Sequence, residues 1–203
     1  MTPEERSRLE AIDTILRLED VREQIQPIIE RAREDLSRKP DAVMAWEPIP
    51  LTTFRGALPE GIRSSWVSLL RAGANTGAER HPNSHQRMMS FAGTGDLQTE
   101  KSGQTSNVQR PTPKAFASRQ SNVTIKEADL KWKSNILVSN ADAPLERRWI
   151  SIPINAWHRP VIPNDGDWVV VSFHTVPADE LIEERPADTS GSGTKQMVYL
   201  SKD

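Results

Sequence analysis

Residues 73–93 read GANTGAERHPNSHQRMMSFAG. Between Glu79 and Gln86 this stretch holds two of the chain's four histidines, His81 and His85, together with a carboxylate and an amide. Strand-like segments flank it. IRSSWVSLL over 62–70 puts Ile62, Ser64, Trp66, Ser68 and Leu70 on one face and Arg63, Ser65, Val67 and Leu69 on the other, the period-two alternation of a strand. The segment from Gln86 to Leu97 returns as strand and runs into the turn Gly93-Thr94-Gly95-Asp96. A further histidine, His158, lies far downstream in SIPINAWHRP. The expectation is that the two stretches meet inside one β-barrel and build one pocket.

Working outward, residues 4–38 read as helix. Ile12, Ile15, Leu16, Val21, Ile25, Ile28 and Ile29 recur at spacings of three and four, with charge on the other faces. Pro27 demands either a break near 18–20, with the proline carried as a kink, or a new helix starting at the proline. Trp132–Ser139 and Trp149–Ile154 read as shorter strands. WVVVSFHTV over 168–176 is the strongest strand, rich in β-branched residues. Ala178–Glu184 reads as a short acidic helical turn. The chain thus divides into an N-terminal helical arm (1–40), a β-barrel (41–185) with a polar loop insertion at 99–127 that is either a lid or a plain insertion, and a flexible C-terminal tail (186–203) with an edge strand. Strands and helices do not alternate, which argues against a dinucleotide-binding α/β fold.

Composition removes several function classes. With 26 basic and 28 acidic side chains the net charge is −2, so there is no electrostatic case for nucleic acid or an anionic membrane as partner. No apolar run approaches the roughly 18 residues of a membrane span. The acidic, polar start of the chain is unlike a secretory signal, and a cytoplasmic protein is expected. The absence of cysteine excludes disulfides and thiolate chemistry, so any metal site must use histidine, carboxylate, amide or water. No nucleophile elbow and no phosphate-binding loop is present.

The spacing of the histidines resembles that of the cupins. Their first motif is Gly, five residues, His-x-His, three or four residues, Glu, six residues, Gly. Here Gly73 is followed by five residues, then Glu79-Arg80-His81, four residues, Gln86, six residues and Gly93. Their second motif ends in Pro-x-Gly-x-x-His, and this chain has Pro153-Ile154-Asn155-Ala156-Trp157-His158. The departures are Glu79 for the first His, Gln86 for the Glu, Asn155 for the Gly, and Ile162 for the final Asn. The resemblance implies an all-β, double-stranded β-helix (jelly-roll) barrel of the cupin type with an N-terminal α-helical extension. Carried over position by position, it implies a metal shell of Glu79, His81, Gln86 and His158. Two histidines and one carboxylate would suit divalent iron, manganese, nickel or zinc, and no organic cofactor is implied. A second register places His85 where Gln86 stands.

His85, Met88, Trp157, His174 and Ser172 are candidates to line the pocket. Arg63, Arg80, Arg87 and Arg159 fall near its mouth, where one could pair with a substrate carboxylate. The reading that follows is a metal-dependent enzyme, of dioxygenase type, on a small organic substrate. The alternatives are a metal-free ligand-binding or regulatory barrel, and a sugar-isomerase-like protein in which a histidine acts as general base. The isoleucines of the arm need cover, supplied by their own barrel or by a second subunit, and a homodimer is expected.

Overall fold

The computed structural model describes residues 1–101 and 126–187, and the backbone of 195–198. The arm is two helices, α1 (Pro3–Leu16) and α2 (Glu19–Arg38). Thr2 caps α1 by accepting from the Glu5 N–H at 3.2 Å, with Pro3 at a first-turn position that has no donor to lose. The chain breaks at Arg17–Leu18, and Pro27 is carried inside α2, the first of the two expected arrangements.

The barrel strands are β1 (Met44–Pro48), β2 (Ser64–Leu70), β3 (Gln86–Ala92), β4 (Thr94–Glu100), β5 (Trp132–Lys133) and β6 (Ile136–Val138). A short helix α3 (Leu145–Arg148) leads into β7 (Trp149–Ile152), β8 (His158–Val161) and β9 (Trp168–His174). A hairpin of β10 (Ile182–Arg185) and β11 (Lys195–Val198) follows. The acidic turn expected over 178–184 is therefore corrected. Only Ala178–Glu180 is helical, and Ile182–Arg185 is a strand whose backbone pairs with 195–198 and, at Glu184, with Arg80. The expected loop insertion at 99–127 and the tail at 186–203 fall mostly outside the described residues.

One sheet has the order β1-β2-β9-β3-β7. In the other, β4 pairs with β8 along one edge and with β5 and β6 along the other, and β8 in turn bonds the extended segment around 75–79. The antiparallel pairs are nested: β2 with β9, the 75–79 segment with β8, β3 with β7, and β4 with β6. A long hairpin wrapped in this way is the double-stranded β-helix, or jelly roll. The chain is thus an all-β barrel with an N-terminal helical extension, as the motif resemblance implied.

Alternation decides what each face of the larger sheet touches. Leu70, Met88, Trp168 and Val170 point inward and pack against Leu97, Leu137 and Ile162 of the second sheet. Val67, Leu69, Met89, Phe91, Val169, Val171 and Phe173 point outward and are buried under the helices. With both faces covered, β9 is buried at every position, which explains its unbroken apolar run. Ile12, Val21 and Ile25 are fully buried, and Ile15, Ile28 and Ile29 nearly so, all within the one chain. The apolar stripe of the arm is therefore covered by its own barrel.

Two hydrophilic ties hold α1 to the barrel. Arg87 donates to both oxygens of Glu5 at 2.7 and 2.8 Å, and Asp13 accepts from Arg148, Arg17 and the Trp149 indole. Inside the barrel, Gly95 lies against the Trp168 ring, so that a Cβ there would sit 2.1 Å from ring carbon Cε3. Trp168 is fully buried and anchored by its N–H to Ser90 Oγ at 2.9 Å, so it has little room to yield. Gly95→Ala is expected to destabilise the fold by about 1–3 kcal/mol, the usual range for overpacking. A urea midpoint equal to that of the parent chain would show that the ring moves freely.

Candidate metal centre

The site is built where an irregular ribbon crosses between β8 and β10. Glu79 N–H donates to the His158 carbonyl at 2.8 Å and His158 N–H returns to Glu79 at 2.9 Å. One residue on, Arg80 and Glu184 exchange the same pair of bonds at 3.0 and 2.9 Å. The ribbon is thus extended, and Glu79 and His81 alternate onto one face while Arg80 faces away. Asn155 occupies the position where the second motif has glycine, with φ +66°, and its N–H donates to the His81 carbonyl at 3.0 Å. Asparagine tolerates this left-handed conformation better than most residues, so the turn survives the substitution.

Glu79, His81 and His158 are all buried, and each offers a ligand atom within 4.8 Å of the others. Both histidine rings are oriented by backbone carbonyls: His81 Nδ1 lies 3.1 Å from Ile182 O, and His158 Nδ1 lies 3.1 Å from Ala156 O. A carbonyl can only accept, so Nδ1 carries a proton in each ring, and in the neutral ring Nε2 keeps its lone pair. His158 Nε2, 3.3 Å from Glu79 Oε1, has no hydrogen-bond partner, since in the Nδ1–H tautomer neither atom carries a proton to give. Gln86 Oε1 is buried and without a partner too. Two orphaned acceptors next to a carboxylate suit a cation or a donor placed among them.

Charge around the site is arranged by a residue that the sequence reading missed. Arg185, on β10, donates from Nη2 to Glu79 Oε2 at 2.8 Å, from Nε to Glu183 Oε1 at 2.6 Å and from Nη1 to the Thr76 carbonyl at 2.7 Å. Burial opposes ionisation of Glu79, but its neighbours His158, His81 and Arg185 together hold its carboxyl down to about 2. Burial, with the His158 charge, pulls His81 down to about 4. Burial likewise pulls His174 well below the usual imidazole range. Glu183 moves the other way: burial, reinforced by the charge of Glu79, raises it to about 7. At neutral pH the ribbon therefore offers a carboxylate and an uncharged imidazole, the forms in which both bind metal.

A cavity opens from this cluster into the barrel. Its wall includes Glu79, His81, Gln86, Met88, Ser172 and His174 among the expected residues. His158 is not on the wall and reaches the cluster from the β8 side. His174 faces His81 edge-on, with ring centroids 5.0 Å apart, and so belongs to the pocket. Two expected lining residues are corrected. His85 precedes the inward Gln86 and points to the outer face, where Nε2 meets Ser151 Oγ at 2.6 Å. This also removes the register that put His85 in the shell. Trp157 precedes the inward His158 and is buried with Ala78 and Leu130, under the Arg80 guanidinium. Trp66 lines the cavity as well. None of the four arginines expected at the mouth lines it either. Arg87 is held by Glu5, Arg80 by Glu184, and Arg159 by Gln98 and Glu127.

The fold and site define an all-β jelly-roll barrel with a Glu–His–His group at one end of an interior cavity. No protein-family model and no curated protein matches the chain. Solved structures resemble it at low identity. An oxalate oxidase in complex with glycolate is 12% identical, with TM-score 0.42, over 67% of this chain and 52% of that one. Oxalate decarboxylase from Lactobacillus farciminis is 13% identical, with TM-score 0.41, over 66% and 29%. The capsular polysaccharide assembling protein CapF from Staphylococcus aureus is 12% identical, with TM-score 0.40, over 79% and 33%. The chain thus spans about half or less of each of these proteins, and likeness at this level says nothing about chemistry. Among the described residues no helix is long and apolar enough to cross a membrane.

Proposed function

We propose that the barrel interior holds a divalent metal ion on Glu79, His81 and His158, with Gln86 as a weak fourth donor, and acts on a small organic molecule. The observation that carries this reading is the buried convergence of Glu79, His81 and His158, with ligand atoms within 4.8 Å of one another, beside two buried side-chain atoms without hydrogen-bond partners, His158 Nε2 and Gln86 Oε1. Two imidazoles and one carboxylate suit ferrous iron first, and manganese, nickel or zinc as well, which makes oxygenase chemistry the first activity to test. When bound, the ion would supply Lewis acidity and, if iron, redox chemistry. The chain's own residues do the rest. The Ile182 and Ala156 carbonyls fix the imidazole tautomers, Arg185 holds one oxygen of Glu79 so that the other faces the histidines, and the apolar wall keeps bulk water out.

The test is metal analysis of protein produced without an affinity tag, followed by equilibrium dialysis against iron, manganese, nickel and zinc and by measurement of dioxygen uptake. Near-stoichiometric binding of one ion is expected. A chain that takes up none of the four ends this reading.

Arg185→Ala provides a finer test. Partners that orient ligands commonly contribute 10- to 100-fold to metal affinity. The variant is expected to bind its ion about 10-fold or more weakly in competition titration, and Arg185→Lys to recover only part, since an ammonium cannot bridge Glu79, Glu183 and Thr76 in one plane. Unchanged affinity in Arg185→Ala would separate the clamp from the site.

A second reading has its own support. Arg185 already gives Glu79 a cationic partner at 2.8 Å, so the cluster could stand as a charge-paired wall of a metal-free ligand-binding barrel. Ligand binding with no metal uptake would favour it.

A further inference from the structure

We infer that the cavity takes an uncharged molecule with an apolar body and a single hydroxyl donor, an alcohol or phenol, rather than a carboxylic acid. The inference rests on the reading of the barrel interior as a ligand pocket. It does not require the metal.

Three features carry it. The wall away from the Glu–His–His group is largely apolar, with Met44, Trp66, Leu70, Met88, Pro160 and Val170, and its polar members Ser68, Thr76 and Ser172 are uncharged. Such a surface gains by covering carbon and offers nothing to a charge. Among the described lining residues there is neither lysine nor arginine. The neighbouring cation, Arg185, has Nε, Nη1 and Nη2 each committed to Glu183, Thr76 or Glu79 at 2.6–2.8 Å. It is bracketed by two acidic side chains, so an entering carboxylate would meet Glu79 with no free cation among the described lining residues, and desolvating it there would be costly. Finally, Gln86, 7% exposed and on the wall, leaves its side-chain oxygen buried without a donor. A ligand O–H satisfies it, whereas a carboxylate brings only acceptors. Aromatic or aliphatic carbon would lie on Trp66, Met88 and Val170, with the hydroxyl toward Gln86 and the histidines.

Phenol and benzoate, with toluene as the probe lacking a donor, test the assignment by titration calorimetry and ligand-observed NMR. The full-length chain is used as purified and after chelator treatment. Phenol should bind at least 10-fold more tightly than benzoate in the chelator-treated sample, where Gln86 Oε1 is free to accept. Gln86→Leu should abolish the advantage of phenol over toluene. Met88→Trp, which fills the cavity, should abolish binding of all three, and the melting temperature of each variant checks that it is folded. If Gln86→Leu does not fold, Met88→Trp and the phenol–benzoate comparison decide. Benzoate equal to or tighter than phenol in the chelator-treated sample, or no phenol binding there at 10 mM, overturns the inference. Dialysis against iron, manganese, nickel and zinc run alongside keeps the two readings apart. Phenol preference with uptake of none of the four ends the metal reading and leaves this one standing, while uptake of an ion without phenol preference does the reverse.

Discussion

His158→Ala is expected to lower metal affinity by 100-fold or more, to the point that no ion survives dialysis. The variant removes one of three strong donors, and Gln86 is too weak and uncharged to replace it. His81→Ala should do the same, since its ring is set toward the cluster by the Ile182 carbonyl just as the His158 ring is set by Ala156. His174→Ala provides the contrast. That ring lines the cavity but lies outside the Glu79–His81–His158 group, so most of the affinity should remain. Full occupancy in His158→Ala, read by metal analysis, would falsify the assignment of the ligands.

The second large effect lies far from the cavity. Asp13→Ala is expected to destabilise the fold by about 3–5 kcal/mol, the range for breaking one side of a buried ion pair. Asp13 is 7% exposed and Arg148 6%, so removal of the carboxylate leaves a buried guanidinium and takes the acceptor from the Trp149 indole, 2.8 Å away. Burial alone pushes the Asp13 carboxyl up, but hydrogen bonds from Arg148, Trp149 and Arg17, with the charge of Arg148, hold it below its ordinary 3.8. A depressed carboxyl contributes its full stabilisation above the unfolded value and loses it as the pH falls through the folded one. The stability difference between parent and variant, measured by urea unfolding, should therefore be constant above about pH 5 and shrink on acidification below 3.8. A difference that does not change with acid would show that Asp13 is not ionised in the fold.

Much of the barrel was legible because strands announce their faces. Once Gln86 is placed inward, the period of two puts Met88 inward and Met89 outward, and the structure keeps that order, while the same period turns Arg87, expected near the mouth, to the outer face. The same parity could have removed His85 and Trp157 from the pocket, since each stands directly before a residue that points in. Nearness in sequence to a histidine suggested them, and on a strand nearness by one residue means the opposite face. Arg185 was not legible. A run of Ile-Glu-Glu-Arg reads as an acidic, solvated turn, and nothing local reveals that Glu183 and Arg185 fold back under Glu79. The one hint was negative. Glu79 is buried and needs a cation, and its neighbour Arg80 alternates away from it, so the partner had to come from elsewhere in the chain. The helical arm shows the same limit: its apolar stripe was plain, but whether it met its own sheet or another chain depended on what that sheet left uncovered.

The position of β9 between β2 and β3 has a consequence for how the protein is made. Those two strands pair with β9 and not with each other. On the ribosome, β3 emerges long before Trp168, and at roughly 5–20 residues per second the interval is on the order of 4–15 s. Throughout it, both strands carry open edges and bare apolar faces, the condition in which nascent sheets aggregate. The two helices have already emerged by then. Val67, Leu69, Met89 and Phe91 belong to the surface that α1 and α2 cover in the finished protein. Being translated first, the arm is available to shelter that face while the central strand is still being synthesised.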